Sequence, residues 1–255
     1  MKTLIFDIET GPLDDLETSG MMTPFDPAGV KCGNLKDPEK IAAKLAEAEA
    51  AHRHEFVERA ALDPLTGRVL AIGLMTQEAQ FSVIADEDEA RLLQDFWRSC
   101  RGDKGRLNRM VGFNSRSFDL PFLIRRSFKH RVDIPFGVRR GRYWSDEMID
   151  LREEWQLGDR QARGSLDAIA RHLGVGKKNG HGEDFSRLWR EDRLKAVDYL
   201  RTDLELTLGV AQALRVVEPA APALRNARID THASPHSARL AHAELRQEWP
   251  GHPVA

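Results

Sequence analysis

The order of short apolar segments and amphipathic helical patterns constrains the fold of this 255-residue chain more than any other feature. Period-two or continuous apolar patterns predict strands at 3–8, 67–76, 80–86 and 109–114. Helical periodicity, capping residues and turn signals predict helices at 86–100, 117–130, 165–175 and 191–217. Strand, hairpin, helix, strand, helix and a final long helix together predict a three-layer α/β domain with a mixed central sheet.

Three regions are distinguished along the chain. Residues 1–217 are predicted to form the domain, and residues 13–63 are an acidic insertion within it. The insertion begins with Gly- and Pro-containing sequence, and its segment 37–62 is rich in Ala, Glu and Lys, which predicts a helix. Residues 218–255 are rich in Pro, Ala and His and are interpreted as a flexible C-terminal tail.

Composition excludes several classes of protein. Cys32 and Cys100 are too few for a disulfide framework, which favours a reducing compartment. No apolar run reaches the ~18 residues of a membrane helix, so we expect a soluble, cytoplasmic protein with no membrane partner. The 40 acidic and 38 basic residues nearly cancel. Net charge therefore does not indicate nucleic-acid binding, and the local distribution of charge has to be considered instead.

Two carboxylates end the first predicted strand. In "LIFDIETGPL", Asp7 and Glu9 directly follow three apolar residues. Residues two apart on a strand point the same way, so both carboxylates share one face, where their repulsion is costly unless a cation lies between them. A strand end with solvated acids is the alternative, and Asp-x-Glu alone is uninformative because it recurs elsewhere in the chain.

Two further segments place carboxylates on structural elements. In "VGFNSRSFDLPFL", a buried strand ends at Asn114 and Asp119 opens the next helix. Asp119 could simply stabilise that helix N-terminus, with Pro121 tolerated in the first turn. In "DYLRTDLELT", Tyr199 and Asp203 are four residues apart and share one helical face, although an ordinary solvated acid beside an aromatic is the alternative.

The ordered set "FDIET", "NSRSFD" and "YLRTD" resembles the three exonuclease motifs of the DEDD superfamily over residues 3 to about 214. The histidine subtype places His five residues before the last aspartate, where this chain has Asp198, so the third motif resembles the tyrosine subtype. The second motif is similar to that of the proofreading domain of family-B DNA polymerases and of stand-alone proteins related to it. The resemblance implies a ribonuclease-H-like fold and 3′–5′ exonuclease activity.

The resemblance also implies the site residues. Two divalent metals, Mg²⁺ or Mn²⁺, are expected, and oxygen ligands without a Cys or His cluster suit both ions. The implied metal-binding and catalytic carboxylates are Asp7, Glu9, Asp119 and Asp203. Tyr199 is implied to orient the attacking water. Its unperturbed pKa of about 10 makes base catalysis by the neutral phenol difficult.

Residues for nucleic-acid binding are also predicted. By the same resemblance, Thr10 is expected to contact the terminal nucleotide and Leu13 to part the last bases, with plain loop roles as the alternative for both. Asn114 and Phe118 belong to the second motif, and Lys178 or its neighbour Lys177 is expected near the metals, with a solvated loop as the alternative. The segment 124–142 is strongly basic and carries Phe128 and Phe136, with Tyr143 beside it, a combination typical of single-strand binding. Its predicted phosphate contacts are Arg139, Arg140 and Arg142, with a solvated helix and loop as the alternative.

We therefore expect a metal-dependent 3′–5′ exonuclease acting on single-stranded 3′ ends, DNA in preference to RNA. No residue that reads a 2′-hydroxyl is identifiable. The alternatives are a nucleic-acid-binding or partner-recruiting module that keeps the fold with little activity, and an endonuclease of the same fold.

Overall fold

The structure, a computed structural model, describes residues 1–13, 20–138, 144–159, 161–178 and 185–219. All of them lie in one compact unit, Met1–Pro219. The tail predicted from residue 218 falls almost wholly outside the described residues, as do Arg139, Arg140, Arg142 and Tyr143. The proposed domain boundaries and those arginine contacts stay predictions.

Five strands in the described residues form one mixed sheet in the order β3-β2-β1-β4-β5. Strand β1 pairs antiparallel with β2 and parallel with β4. Strand β3 pairs antiparallel with β2, and β5 pairs parallel with β4. The strands are β1 (Thr3–Pro12), β2 (Gly67–Thr76), β3 (Phe81–Ile84), β4 (Arg109–Gly112) and β5 (Met148–Asp150).

Seven α-helices lie in the same described ranges, with short 3-10 turns at Pro27–Gly29 and Asp103–Gly105. The helices are α1 (Pro38–Ala60), α2 (Glu89–Ser99), α3 (Asp119–His130), α4 (Leu151–Gln156), α5 (Leu166–His172), α6 (Phe185–Glu191) and α7 (Arg193–Ala213). Side-chain caps begin several of them, including Asp37 for α1 and Ser165 for α5. No helix among these is long and apolar enough to cross a bilayer.

Alternating strand residues pack on the two faces of the sheet. On one face, Phe6, Ile72 and Leu74 pack with apolar residues of α2 and α3 in one core cluster. On the other, Ile5 and Met75 pack with apolar residues of α5 and α7. This two-residue period along each strand produces the three layers and confirms the predicted α/β class with its mixed sheet.

Helix α7 lies close to the sheet beside Asp7. Gly73 of β2 is the register partner of Asp7 in β1. A Cβ atom at Gly73 would lie 2.5 Å from Leu204 Cδ1 and 2.9 Å from Leu200 Cγ, both on α7. Glycine at this point therefore permits the close approach that brings the face of α7 up to the strand carrying the first carboxylates.

The predicted strands and helices are found, including the insertion helix α1, but β1 pairs with β2 as far as Pro12. Asp7 and Glu9 therefore lie within the strand and not at its end. Three elements were not predicted: β5, α4 and α6. Strand β5 has only three residues and runs directly into α4, so neither shows a periodic pattern long enough to recognise.

Candidate active site

Three carboxylates meet between the first strand and the long helix α7. One ligand oxygen from each of Asp7, Glu9 and Asp203 lies within 4.8 Å of the others. Glu9 is 8 % exposed and Asp203 is 3 % exposed. The β1 register shifts between Glu9 and Thr10, a bulge directly after the second carboxylate. The face shared by residues 7 and 9 of a strand is thus the face on which α7 packs.

Asp119 connects the second motif to the same strand. It is the first residue of α3, is 3 % exposed, and its Oδ1 accepts a 3.2 Å hydrogen bond from the N–H of Ile8, between Asp7 and Glu9. The N-cap residue of α3 is Phe118, which makes no side-chain cap hydrogen bond. Asp119 is therefore bonded to β1, so its contacts go beyond those of a residue that only stabilises its own helix.

Burial and mutual repulsion disfavour the charged forms of these carboxyl groups. Burial raises the pKa of Asp7 well above its usual value, and the charges of Asp119 and Asp203 raise it further. The pKa of Glu9 is raised by burial and then by Asp7. Burial also raises the pKa values of Asp119 and Asp203. Such a cluster gains most from a cation, which removes the repulsion and replaces lost hydration.

Lys178 supplies the positive charge nearest to the cluster. Its Nζ donates a 2.5 Å hydrogen bond to Asp203 Oδ2 and lies 5.7 Å from the centroid of the Tyr199 ring. The other oxygen, Asp203 Oδ1, is buried and has no hydrogen-bond partner among the described residues. A buried acceptor left unsatisfied calls for an explanation, and a bound ion supplies one.

Tyr199 is held in place by aromatic packing. It is 6 % exposed, and its ring centroid lies 6.2 Å from that of Phe185, which stacks on Trp189. Burial raises the pKa of its phenol, and the charges of Asp203 and Glu9 raise it further. The hydroxyl stays protonated and can act as a hydrogen-bond donor beside the carboxylates.

The carboxylates open into a cleft of about 1100 Å³. Of the residues predicted to bind nucleic acid, Asn114, Phe118 and Lys178 line this cleft, as does Lys177. Leu13 instead lines a separate cavity of about 640 Å³, and Thr10 borders neither. The structure thus separates Thr10 and Leu13 from the cleft and leaves their roles as predictions.

One member of the predicted basic segment is not available to a ligand. Arg126 is 2 % exposed, and its Nε and Nη2 donate to the carboxylate of Glu89 at 2.9 and 2.6 Å. A third donor, Nη1, bonds to the backbone oxygen of Pro64 at 3.0 Å. The prediction that the basic segment 124–142 binds nucleic acid was wrong for Arg126, because its guanidinium donates hydrogen bonds to Glu89 and Pro64 inside the domain.

Two residues of the site were not recognised from the sequence. Asp150 ends β5, is 1 % exposed, and accepts hydrogen bonds from backbone N–H groups around the second motif. Arg152 follows it and lines the cleft. A signal was present in "MIDLREEW", where an aspartate precedes a helical pattern and so reads as an N-cap. Nothing in the sequence connected that cap to residues almost forty positions earlier.

Residues 62–210 match a family described as "Predicted 3'-5' exonuclease related to the exonuclease domain of PolB". The matched range is more than half of the chain and contains Asp119, Tyr199 and Asp203. Asp7 and Glu9 precede the matched range and are separated from it by the insertion. The pairing of β1 with β2 places them beside the matched range in the fold. No curated protein matches the chain in sequence.

Among solved structures, the family B DNA polymerase from the hyperthermophilic archaeon Pyrobaculum calidifontis is similar, with a TM-score of 0.51 and 19 % identity. The match covers 84 % of this chain and 24 % of the polymerase, so the chain spans about a quarter of that protein. The likeness concerns the fold and, with the mixed sheet, confirms the predicted ribonuclease-H-like architecture. By the family match, this chain belongs to the predicted 3′–5′ exonucleases related to the exonuclease domain of PolB.

Proposed function

We propose that this protein is a two-metal-dependent 3′–5′ exonuclease that hydrolyses phosphodiester bonds at single-stranded 3′ ends, DNA in preference to RNA. One observation carries the proposal. Carboxylate oxygens of Asp7, which is half-buried, and of Glu9 and Asp203, which are buried, converge within 4.8 Å and line an open cleft. A structural role for such a cluster is hard to defend, since buried like charges without compensation destabilise the fold.

The residues present suit Mg²⁺ or Mn²⁺. Asp7, Glu9 and Asp203 would hold the ions with Asp119 close by, because hard cations prefer carboxylate oxygens. The unpartnered Oδ1 of Asp203 supports this assignment. When bound, a metal pair neutralises the charge that develops on the attacking and leaving oxygens of the phosphodiester.

The protein's own side chains would position the reactants. The Tyr199 hydroxyl, kept protonated by its raised pKa, would donate a hydrogen bond and orient the water that attacks the phosphorus. Lys178 now pairs with Asp203. If Asp203 held a metal ion instead, the ammonium group of Lys178 would be available to contact a phosphate of the substrate.

The lining of the cleft supports a nucleic-acid strand as substrate. Phe113 and Phe118 offer apolar surface, while four cationic side chains face the same space: Arg152, Arg171, Lys177 and Lys178. Phosphate contacts combined with stacking surfaces are the usual means of binding a single strand. The preference for DNA follows the polymerase-related family and has to be measured.

The test is nucleotide release from 3′-labelled single-stranded DNA and RNA of the same sequence, with Mg²⁺ or Mn²⁺. We expect the wild type to release label from DNA faster than from RNA. Asp203→Asn should lower the rate at least about 10³-fold, because charge stabilisation by bound metal is worth several kcal/mol. Asp198→Asn is the matched control: it is the same substitution on α7, at an exposed position five residues away.

Three results would count against the proposal. Equal rates for wild type and Asp203→Asn would remove the carboxylates from the mechanism. Cutting of closed circular DNA as fast as linear DNA would indicate an endonuclease. Binding of both strands without release under either metal would leave a nucleic-acid-binding module with the exonuclease fold.

A further inference from the structure

We propose that Arg152 and Asn114 form a phosphate-binding subsite in the cleft, and that Asp150 is the residue that positions both. The inference rests on the proposed function, since the phosphate is taken to belong to the nucleic-acid strand. It assigns Arg152 and Asp150, which belong to none of the three motifs, to substrate binding.

Asp150 fixes the backbone of this subsite. Its Oδ1 accepts hydrogen bonds from the N–H groups of Asn114 and Arg152, and its Oδ2 accepts one from the N–H of Arg116, each at 2.9 Å. Asn114 has φ 60°, a left-handed conformation that non-glycine residues rarely adopt. One buried carboxylate therefore ties the end of β5 and the start of α4 to the turn that follows β4.

The bond between the two side chains determines what Asn114 presents. Arg152 Nη1 donates a 3.0 Å hydrogen bond to Asn114 Oδ1. A guanidinium has only donors, so the amide must turn its oxygen toward Arg152 and its NH₂ group away. Among the described residues, that NH₂ group has no hydrogen-bond acceptor. Asn114 lines the cleft. The amide is thus oriented as a donor.

Arg152 also differs from two of its cationic neighbours in the cleft, Lys178 and Arg171. Lys178 pairs with Asp203, and Arg171 pairs with Asp167 at 2.9 Å. Among the described residues, the guanidinium of Arg152 bonds to a neutral amide and to no carboxylate. No carboxylate in the described ranges pairs with this charge, and together with the Asn114 donor it suits an anionic oxygen. Within a polynucleotide, that group is a backbone phosphate.

The test measures binding without catalysis, in EDTA. The affinity of a labelled single-stranded oligonucleotide is determined by fluorescence anisotropy over a series of salt concentrations. Each phosphate neutralised contributes about 0.7 to the slope of log K against log salt for a single strand. We expect Arg152→Gln to reduce the slope by about this amount and Arg152→Lys to restore it.

Arg116→Gln is the matched control. Arg116 lies in the same turn, but its guanidinium is held by the backbone oxygen of Met148 at 2.7 Å and by Glu153 at 2.6 Å. This variant should keep the wild-type slope. Replacing one phosphate at a time with a neutral methylphosphonate should weaken wild-type binding at one position of the oligonucleotide. At that position the affinity of Arg152→Gln should not fall further, which identifies the phosphate that Arg152 contacts.

The outcomes separate this inference from the proposed function. An unchanged slope for Arg152→Gln, or an equal reduction for Arg116→Gln, overturns the inference even if the wild type releases nucleotides. A slope that depends on Arg152 in a protein that releases none upholds the subsite and removes the hydrolytic proposal. If the wild type binds no oligonucleotide, both fail. Circular dichroism of each variant verifies that the fold is retained.

Discussion

Two groups of buried charges in this domain differ in how the protein balances them. Between α2 and α3, Glu89 receives two hydrogen bonds from Arg126, one from the N–H of Val69 and a 2.9 Å contact from His130. Between β1 and α7, Lys178 is the one ammonium group among the described residues that contacts the carboxylates of the candidate site.

The two groups therefore shift the pKa of their acids in opposite directions. Burial alone would raise the pKa of Glu89, but the hydrogen bonds and charge of Arg126 outweigh it, and the net pKa is lowered. For Asp7 and Glu9, burial and neighbouring carboxylates both act upward. The balanced group around Glu89 needs no further charge, whereas the unbalanced group of Asp7, Glu9 and Asp203 needs a ligand of opposite charge.

The largest effect should come from breaking the balanced group. Arg126→Met removes the guanidinium from a carboxylate that is 5 % exposed and leaves only the Val69 N–H and His130 in contact with it. We expect a loss of about 3–5 kcal/mol in the free energy of unfolding. Denaturant titration of the wild type and the variant measures this directly.

The control for that experiment is an exposed ion pair. Arg98→Met breaks the pair with Asp95, whose side chains are 73 % and 48 % exposed, and should cost no more than about 1 kcal/mol. Similar losses of unfolding free energy in the two variants would show that burial of the Glu89–Arg126 pair does not increase the cost of breaking it. The contrast between the two groups of buried charges would then disappear.

The unbalanced group should respond to metal. Mg²⁺ at a hundred times its dissociation constant should stabilise the wild type by about 2.7 kcal/mol, because the ion binds the folded state only. Asp203→Asn should lose this gain, while Asp198→Asn keeps it. The measurement is the melting temperature against Mg²⁺ concentration, and stabilisation that persists in Asp203→Asn would place the ion elsewhere.

The smallest effect is a dependence of stability on pH in metal-free buffer. Asp119 has a raised pKa, so between about pH 5 and 8 the folded state binds more protons than the unfolded state and stability falls as pH rises. Asp119→Asn can still accept the Ile8 hydrogen bond through its amide oxygen but cannot ionise. It should be about 1–2 kcal/mol more stable than the wild type at pH 8.

Subtracting the two pH profiles isolates the contribution of Asp119 to stability. Glu89, whose pKa is lowered, acts at lower pH with the opposite sign: its contribution is lost as pH falls below about 4.5. A stability difference between wild type and Asp119→Asn that did not grow toward pH 8 would contradict the account of the unbalanced group.

The main elements were accessible from the sequence for a physical reason, and the five motif residues were implied by the resemblance of the three motifs. Each element is long enough to display its period, and Asp7, Asp119 and Asp203 each occupy an element end or face that periodicity defines. The convergence of Asp7, Glu9 and Asp203 then follows from a sheet on which α7 must pack.

What escaped prediction depends on pairing between distant residues. Glu89 lies in the first turn of a helix, and Arg126 lies in the basic segment 124–142. Only the packing of α2 against α3 joins them. The sequence indicates Asp150 only as the N-cap of a short helix, because its bonds to Asn114 and Arg116 join segments whose relative placement the sequence does not encode locally.

Because the site needs both β1 and α7, their positions in the sequence also determine when during synthesis it can form. Asp7 and Glu9 are synthesised roughly 200 residues before Asp203, which at about 5–20 residues per second is a delay of about 10–40 s. During that interval the emerging chain can pair β1 with β2 but has no α7 to complete the cluster. Any hydrolysis through these carboxylates therefore begins only after the last part of the domain has left the ribosome.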